Sequence, residues 1–270
     1  MPERPQIHGH PDRQDEILTD YLPRLFERWD DPPLWWFRRH REMTRPDIEQ
    51  HLSLYLRLPS PELYGAAAAR VGEWAADMRG RGLVPQLHLS TYHPETGRYG
   101  HGAAMAAAEE AFVADSAAAL AQIEMAARIG TPPEALTAAG LLDLAASYAS
   151  TPRQGLRWLI DHLPQERGRL DRSVRDAALL LADPGHEWAV LRAAPGGEKV
   201  VLAWERRRTA LVTYRNRLDR QRDPRPVLRS LLHLHHVRTI GVDPECERVS
   251  NRLARAAALR WIAQDRRDTP

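Results

Sequence analysis

The chain has 270 residues, 43% of them hydrophobic and 27% charged, which is enough length and apolar content for one large folded domain or two small ones. Its 38 basic and 36 acidic residues leave a formal charge of +2, an argument against a nucleic-acid partner. One cysteine, Cys246, excludes an intrachain disulfide framework and a cysteine-based zinc site; no apolar run reaches the roughly 20 residues of a membrane helix, and "MPERPQIHGHPDRQDE" lacks a signal peptide's hydrophobic segment, so a soluble cytoplasmic protein with no membrane partner is expected.

In chain order, the first histidines fall in "HGHPD" (8–12). There Pro11 and the nearby chain end predict the start of a first edge strand or a loose tail. "LWWFRRH" (34–40) reads as a strand. "HLSLYLRL" (51–58) puts Leu52, Leu54, Leu56 and Leu58 on one face and His51, Ser53, Tyr55 and Arg57 on the other, the period of two of a strand with one buried side. The polar face is then expected to be open to chemistry, or simply to solvent.

"SPELYGAAAARVGEWAADMRGRG" predicts a helix with Ser60 as N-cap and Pro61 at the first helical position, ending at Gly80 or Gly82. "LVPQLHLSTY" (83–92) predicts another strand. Helical periodicity then dominates, with helices expected over 102–128, 133–148, 152–163, 169–182, 224–240 and 245–265. "EWAVLRAAPGGEKVVLAWERRRTALVTYRNRL" is open between a hairpin and two helices joined at Pro-Gly-Gly. The expected class is α+β: a small, mostly antiparallel sheet with flanking helices in the N-terminal half and a helical C-terminal half. We expect a single domain over 1–270, its sheet-containing part reaching to about 128 and its mainly helical part spanning about 129–265.

The stretch 91–116 carries Thr91, Tyr92, Pro94, Glu95, Arg98, Tyr99 and Gly100 ahead of a helix that runs to Asp115 and Ser116. It resembles the C-terminal domain of class I lanthipeptide dehydratases and the stand-alone thiopeptide-type bacteriocin biosynthesis proteins, a family that includes thiopeptide pyridine synthases. There a strand-borne Thr-Tyr, a Pro-Glu and an Arg-Tyr-Gly lead into a helix ending in Asp-Ser. Two further pieces agree: "WWFRRH" with "HLSLYLRLPSPELYG", and "SLLHLHHVRTIGVDPECE" at the place of a His-x-His-x-Asn-Arg helix. The resemblance implies an α+β domain acting on a ribosomally made precursor peptide with a leader, in some members beside a separate glutamylating subunit. Two departures stand out. Ser53 and Tyr55 occupy positions where eliminating members carry two arginines, and Val237 stands where Asn is expected.

Two chemistries fit such a scaffold. Elimination of glutamate from a glutamyl-Ser or glutamyl-Thr needs a base for the Cα proton and cationic groups for the carboxylate, for which arginine's planar fork is suited. By resemblance Arg98 would be one such arginine and His233 the acid or base, with Arg38, Arg39 or Arg57 recruited in place of the missing pair. A formal aza [4+2] cycloaddition of two dehydroalanines, followed by loss of water and of the leader, needs no glutamate clamp. It needs the two alkenes held together, a donor to the imidic acid tautomer and a proton shuttle. Tyr55, Tyr92 and His233 are suitable types, and the loss of the clamp favours this pyridine-forming reading. A third reading, from another class, is a non-catalytic protein that binds the leader on an exposed sheet edge.

The expected catalytic set is therefore Arg98, His233, Tyr92 and Tyr55, with Ser53, Arg57, Arg39, His101 and His236 against the substrate. Arg98 has a competing role as a turn arginine paired with Glu95, and His233 as a structural histidine. His233 and His236 share a helical face three residues apart while His235 points away. No carboxylate or cysteine lies nearby at ligand spacing, so neither a metal nor another cofactor is expected. Most tryptophans are assigned to the core, with Trp35 or Trp36 able to stack on a peptide if exposed. Asp115 and Ser116 are expected to pack inside the helical junction.

Overall fold

The computed structural model describes residues 3–8, 13–27, 29–41, 50–165, 170–182 and 187–268. They fall into two compact units, Met1–Pro94 and Glu95–Pro270, so the long alanine-rich helix that follows residue 102 belongs with the helical unit rather than with the sheet.

The first unit is built on β1 (Glu3–His8), α1 (Gln14–Glu16), a π-helical turn over Ile17–Tyr21, α2 (Leu22–Phe26), β2 (Leu34–Arg41), β3 (Gln50–Arg57), α3 (Tyr64–Gly80) and β4 (Gln86–Thr91). The strands form an antiparallel sheet in the order β2-β3-β1-β4. His8 closes β1, which is an interior strand, not the edge strand expected from "HGHPD"; positions 9–12 lie outside the described residues. The helix expected from Ser60 begins with a 3-10 turn at Pro61–Leu63. Ser60 makes no capping bond with its side chain, its hydroxyl being engaged by the Glu62 carboxylate.

Leu52, Leu54 and Leu56 of β3 are buried as the period of two requires. The other face is not the open polar surface expected of it: Ser53 is 0% and Tyr55 7% exposed. The register explains why, since Trp36 lies opposite Tyr55 and Arg38 opposite Ser53, and paired residues share a face.

The second unit comprises α4 (Thr96–Tyr99), α5 (Ala103–Ile129), α6 (Pro133–Tyr148), α7 (Pro152–His162), α8 (Arg172–Leu181), α9 (Ala189–Ala193), α10 (Gly197–Asp219), α11 (Val227–Thr239) and α12 (Pro244–Asp268). The open question at Pro195-Gly196-Gly197 is settled in favour of two helices, α9 and α10. Small residues set how closely these helices pack. A Cβ on Gly155 of α7 would stand 2.0 Å from the Ala145 carbonyl oxygen of α6. Proline begins α6 and α7, where its missing N–H costs nothing, and Thr151 caps α7 by accepting from the Gln154 N–H at 3.3 Å.

Candidate functional site

In the sheet unit the side chains with chemical potential gather around β3. Trp36 and Tyr55 stack at 5.1 Å with their planes 3° apart, and Tyr92 meets both edge-on at 5.5 and 5.4 Å. Tyr55 and Tyr92 are thus brought together, and Trp36, 3% exposed, is an internal platform rather than a surface for a peptide. Trp35 stacks on Phe26 at 5.1 Å. Arg39 is 5% exposed and reaches Asp15 of α1 at 2.6 Å. Burial pulls its pKa down against the carboxylate's opposite pull, and the ion pair holds the guanidinium on the helix side of the sheet. Arg57 stands half-buried at the end of β3.

In the helical unit, Arg98 lies in α4 and is half exposed, with its Nε 3.3 Å from Glu95 Oε2, the turn pairing expected as its competing role. The turn is fixed from α10 and the segment that follows it. Arg222 donates to the carbonyl oxygens of Gly97 and Arg98, and Gln221 both accepts from the His101 N–H at 3.1 Å and donates to the His101 carbonyl at 2.9 Å. Gly100 has φ +90°, and a Cβ there would stand 2.9 Å from Ala104 Cβ and from Leu218 Cδ1, so only glycine closes this Arg-Tyr-Gly turn.

The three histidines of α11 part company. His233 lines a cavity of about 360 Å³ with Arg229, Leu232, Glu247 and Asn251, and its Nδ1 is 2.8 Å from Glu247 Oε1 of α12. Burial would raise the Glu247 carboxyl, but His233 and His236 bring it below its ordinary value. An ionised Glu247 accepting from Nδ1–H leaves the other ring nitrogen as the proton-exchanging atom of His233. His236 is 1% exposed, and burial depresses its pKa to about 4, so it is a neutral core side chain. His235 is fully buried and contacts charged groups.

Sequence periodicity does not reveal those charged groups as a set. Arg207 of α10, 0% exposed, donates to Asp115 at 2.8 Å, to Asp143 at 2.9 Å and to the Gly140 carbonyl at 3.0 Å. Asp115 also accepts from Arg238 at 2.6 Å and His235 at 2.8 Å. Burial by itself would push the Asp115 carboxyl up, yet His235, Arg238 and Arg207 hold it well below the usual carboxylate range. The cluster ties α5, α6, α10 and α11 together, and Ser116 beside it is fully buried, as expected for a helical junction. A signal for it exists in the sequence: a lone Asp143 in an apolar helix and an arginine inside "VVLAWERRRTALV" call for each other. Glu247, 14 residues beyond His233 across a helix turn, leaves no such mark.

Relatives bear on this geometry. The family model described as "Lantibiotic biosynthesis dehydratase C-term" matches residues 5–258. The chain belongs to that family. It is 23% identical over 244 residues to the subtilin biosynthesis protein SpaB of Bacillus subtilis, across 87% of this chain and 23% of SpaB. The tRNA-dependent lantibiotic dehydratase MibB from Microbispora sp. 107891 superposes with a TM-score of 0.80 at 25% identity, over 98% of this chain and 28% of MibB. TbtD, the pyridine synthase from thiomuracin biosynthesis, shares the fold with a TM-score of 0.63 at 16% identity, over 97% of this chain and 99% of TbtD. The chain therefore spans about a quarter of SpaB and MibB and nearly the whole of TbtD. This member of the dehydratase C-terminal family carries a buried serine and a stacked tyrosine on β3 where the resemblance expects arginines. Among its described residues no helix is long and apolar enough to cross a membrane.

Proposed function

We propose that the protein matures a ribosomally made peptide by pyridine synthase-like chemistry, a formal aza [4+2] cycloaddition between two dehydroalanines with release of the leader. The observation that carries this reading is the state of β3. Ser53 and Tyr55 are neutral and buried, Tyr55 is stacked on Trp36, and the neighbouring Arg39 is engaged by Asp15. At the two β3 positions where eliminating members carry arginines, these side chains offer no bidentate cation for a glutamyl ester, whereas alkenes require orientation and hydrogen-bond donors instead. The fold shared with the pyridine synthase TbtD is compatible with the same reading.

His233, oriented by Glu247, is the proton shuttle in this scheme. The ring forms from the imidic acid's C=N–C=C and the second alkene. Loss of water and then of the leader as its carboxamide leaves the pyridine, with no net oxidation. No cofactor is invoked. The precursor peptide is the partner.

The second reading is glutamate elimination as a subunit of a split dehydratase, favoured by the retained Arg98 and by the likeness to MibB. Two peptides separate them. A substrate with paired dehydroalanines should yield a pyridine chromophore and a leader carboxamide, while a glutamyl-serine substrate should release no glutamate. Free glutamate from the latter would transfer the assignment to elimination, and leader binding without change to either peptide would leave a binding protein.

A further inference from the structure

The cavity at His233 is lined by a second histidine, His162, the last residue of α7. The two rings are set by the same device. His162 Nδ1 is 2.9 Å from the main-chain oxygen of Trp158, and a carbonyl oxygen only accepts, so Nδ1 carries the hydrogen. His233 Nδ1 faces the Glu247 carboxylate at 2.8 Å in the same sense. In each ring Nε2 is therefore the atom left to exchange a proton. The His162 ring also lies on the Trp158 indole, at 4.4 Å and 8°, which fixes its plane.

The end of α7 is anchored to the two helices that carry the other pair. The last carbonyl oxygens of a helix have no partner within it. Here Arg255 of α12 donates to the Ile160 carbonyl at 2.9 Å, and Arg229 of α11 to the His162 carbonyl at 3.5 Å. Because α11 brings His233 and α12 brings Glu247, one set of contacts between helices positions all three side chains. A histidine that only capped its own helix would need the bond from Nδ1 to Trp158 and none of this anchoring.

We propose that His162 is a second catalytic residue of this site, its Nε2 acting as base when that of His233 acts as acid, and the reverse. The inference rests on the proposed function in taking the His233 cavity as the place of reaction, and it adds a partner for the proton shuttle. Formation of the imidic acid takes a proton from the peptide nitrogen and delivers one to its oxygen. Loss of water takes a proton from a ring carbon and delivers one to the departing hydroxyl; loss of the leader takes another ring proton and delivers one to the departing amide nitrogen. Each step removes a proton at one atom and supplies one at another, with no electrons gained or lost. Two fixed imidazoles serve both ends without either having to move between them. Glutamate elimination also has two ends, the Cα proton and the departing carboxylate, so the pair serves either reaction.

The test is turnover of the paired-dehydroalanine peptide and of the glutamyl-serine peptide by wild type, His162→Gln and His162→Ala, with the melting temperature of each. His162 is exposed, so both variants should melt close to wild type. On whichever peptide the wild type converts, His162→Gln should lower kcat about 100-fold with KM little changed. Free imidazole should restore part of the His162→Ala rate, which a purely structural role would not allow. A wild-type kcat in His162→Gln, a loss carried by KM alone, or a loss that imidazole does not relieve would overturn the proposal and leave His162 a helix cap. Pyridine formed by His162→Gln at the wild-type rate would count against His162 alone and leave the cycloaddition reading standing. Glutamate release that falls in His162→Gln and is relieved by imidazole in His162→Ala would count against the cycloaddition reading alone. Conversion of neither peptide by the wild type would overturn both.

Discussion

Replacing Asp115 by asparagine should be among the most damaging single changes in the helical unit. Its carboxylate takes hydrogen bonds from Arg207 at 2.8 Å, Arg238 at 2.6 Å and His235 at 2.8 Å, with Arg207 0% and Arg238 2% exposed. Asparagine keeps one acceptor oxygen but loses the charge and presents an amide donor to a site filled with donors. Each charge-assisted bond contributes about 1.5–3 kcal/mol, and removing one partner of a buried ion pair costs about 3–5 kcal/mol, so we expect a loss of about 3–5 kcal/mol. Against a typical total of about 5–15 kcal/mol this is severe. Guanidinium denaturation followed by far-ultraviolet circular dichroism reports the helical unit. The pH dependence gives a second test. The native Asp115 pKa is lowered, so its contribution is complete above the ordinary aspartate range and fades as pH falls below about 4 towards the lowered value. The gap between wild type and Asp115→Asn should narrow below that pH. A loss under about 1 kcal/mol, or a gap that does not change on acidification, would show that the buried Asp115 carboxylate does not hold these helices together.

Burial lowers the pKa of His236 from 6.5 to about 4, so the unfolded chain takes up a proton that the native state refuses; stability should fall by about 3 kcal/mol between about pH 6.5 and pH 4, and less steeply in His236→Gln. Gly155→Ala forces a Cβ against the Ala145 carbonyl oxygen and should cost at least about 1–3 kcal/mol in the same denaturation assay, through overpacking of α6 against α7. His233→Gln and Glu247→Gln should leave the melting temperature nearly unchanged, since both groups border a cavity. Turnover of a dehydroalanine peptide should fall by about 100-fold or more in the first and less in the second. Arg98→Gln separates the two chemistries: glutamate elimination would lose about 2–4 kcal/mol of transition-state stabilisation with its clamp, while pyridine formation should change little.

Much of the helical unit is legible in the sequence. Proline at the starts of α6 and α7 and glycine past α5 place those boundaries within a residue or so, because local backbone chemistry decides them. The sheet is legible in β2, β3 and β4 but not in β1, which ends at His8 where the sequence suggests a strand beginning or a loose tail, nor in the strand order: β1 sits between β3 and β4, a long-range pairing that no local period encodes. The same limit explains Ser53 and Tyr55. A period of two separates the faces of β3 correctly, yet it cannot tell that the polar face is covered, which depends on Trp36 and Tyr92 from elsewhere in the chain. Of the candidate site, His233 is found from its motif, whereas its partner Glu247 comes from a different helix. His235 and His236 illustrate the converse, since helical spacing sets His236 on the face of His233 and His235 away from it, and the packing of the helical unit buries both.

The proposed reaction is tested by mass spectrometry of the leader released from a precursor that already holds two dehydroalanines. Cycloaddition yields a leader ending in a carboxamide, formed together with a cyclic product that has lost water and gained a pyridine absorbance. A leader released as the free acid, or a precursor of unchanged mass while a glutamyl-serine peptide loses glutamate, would contradict it.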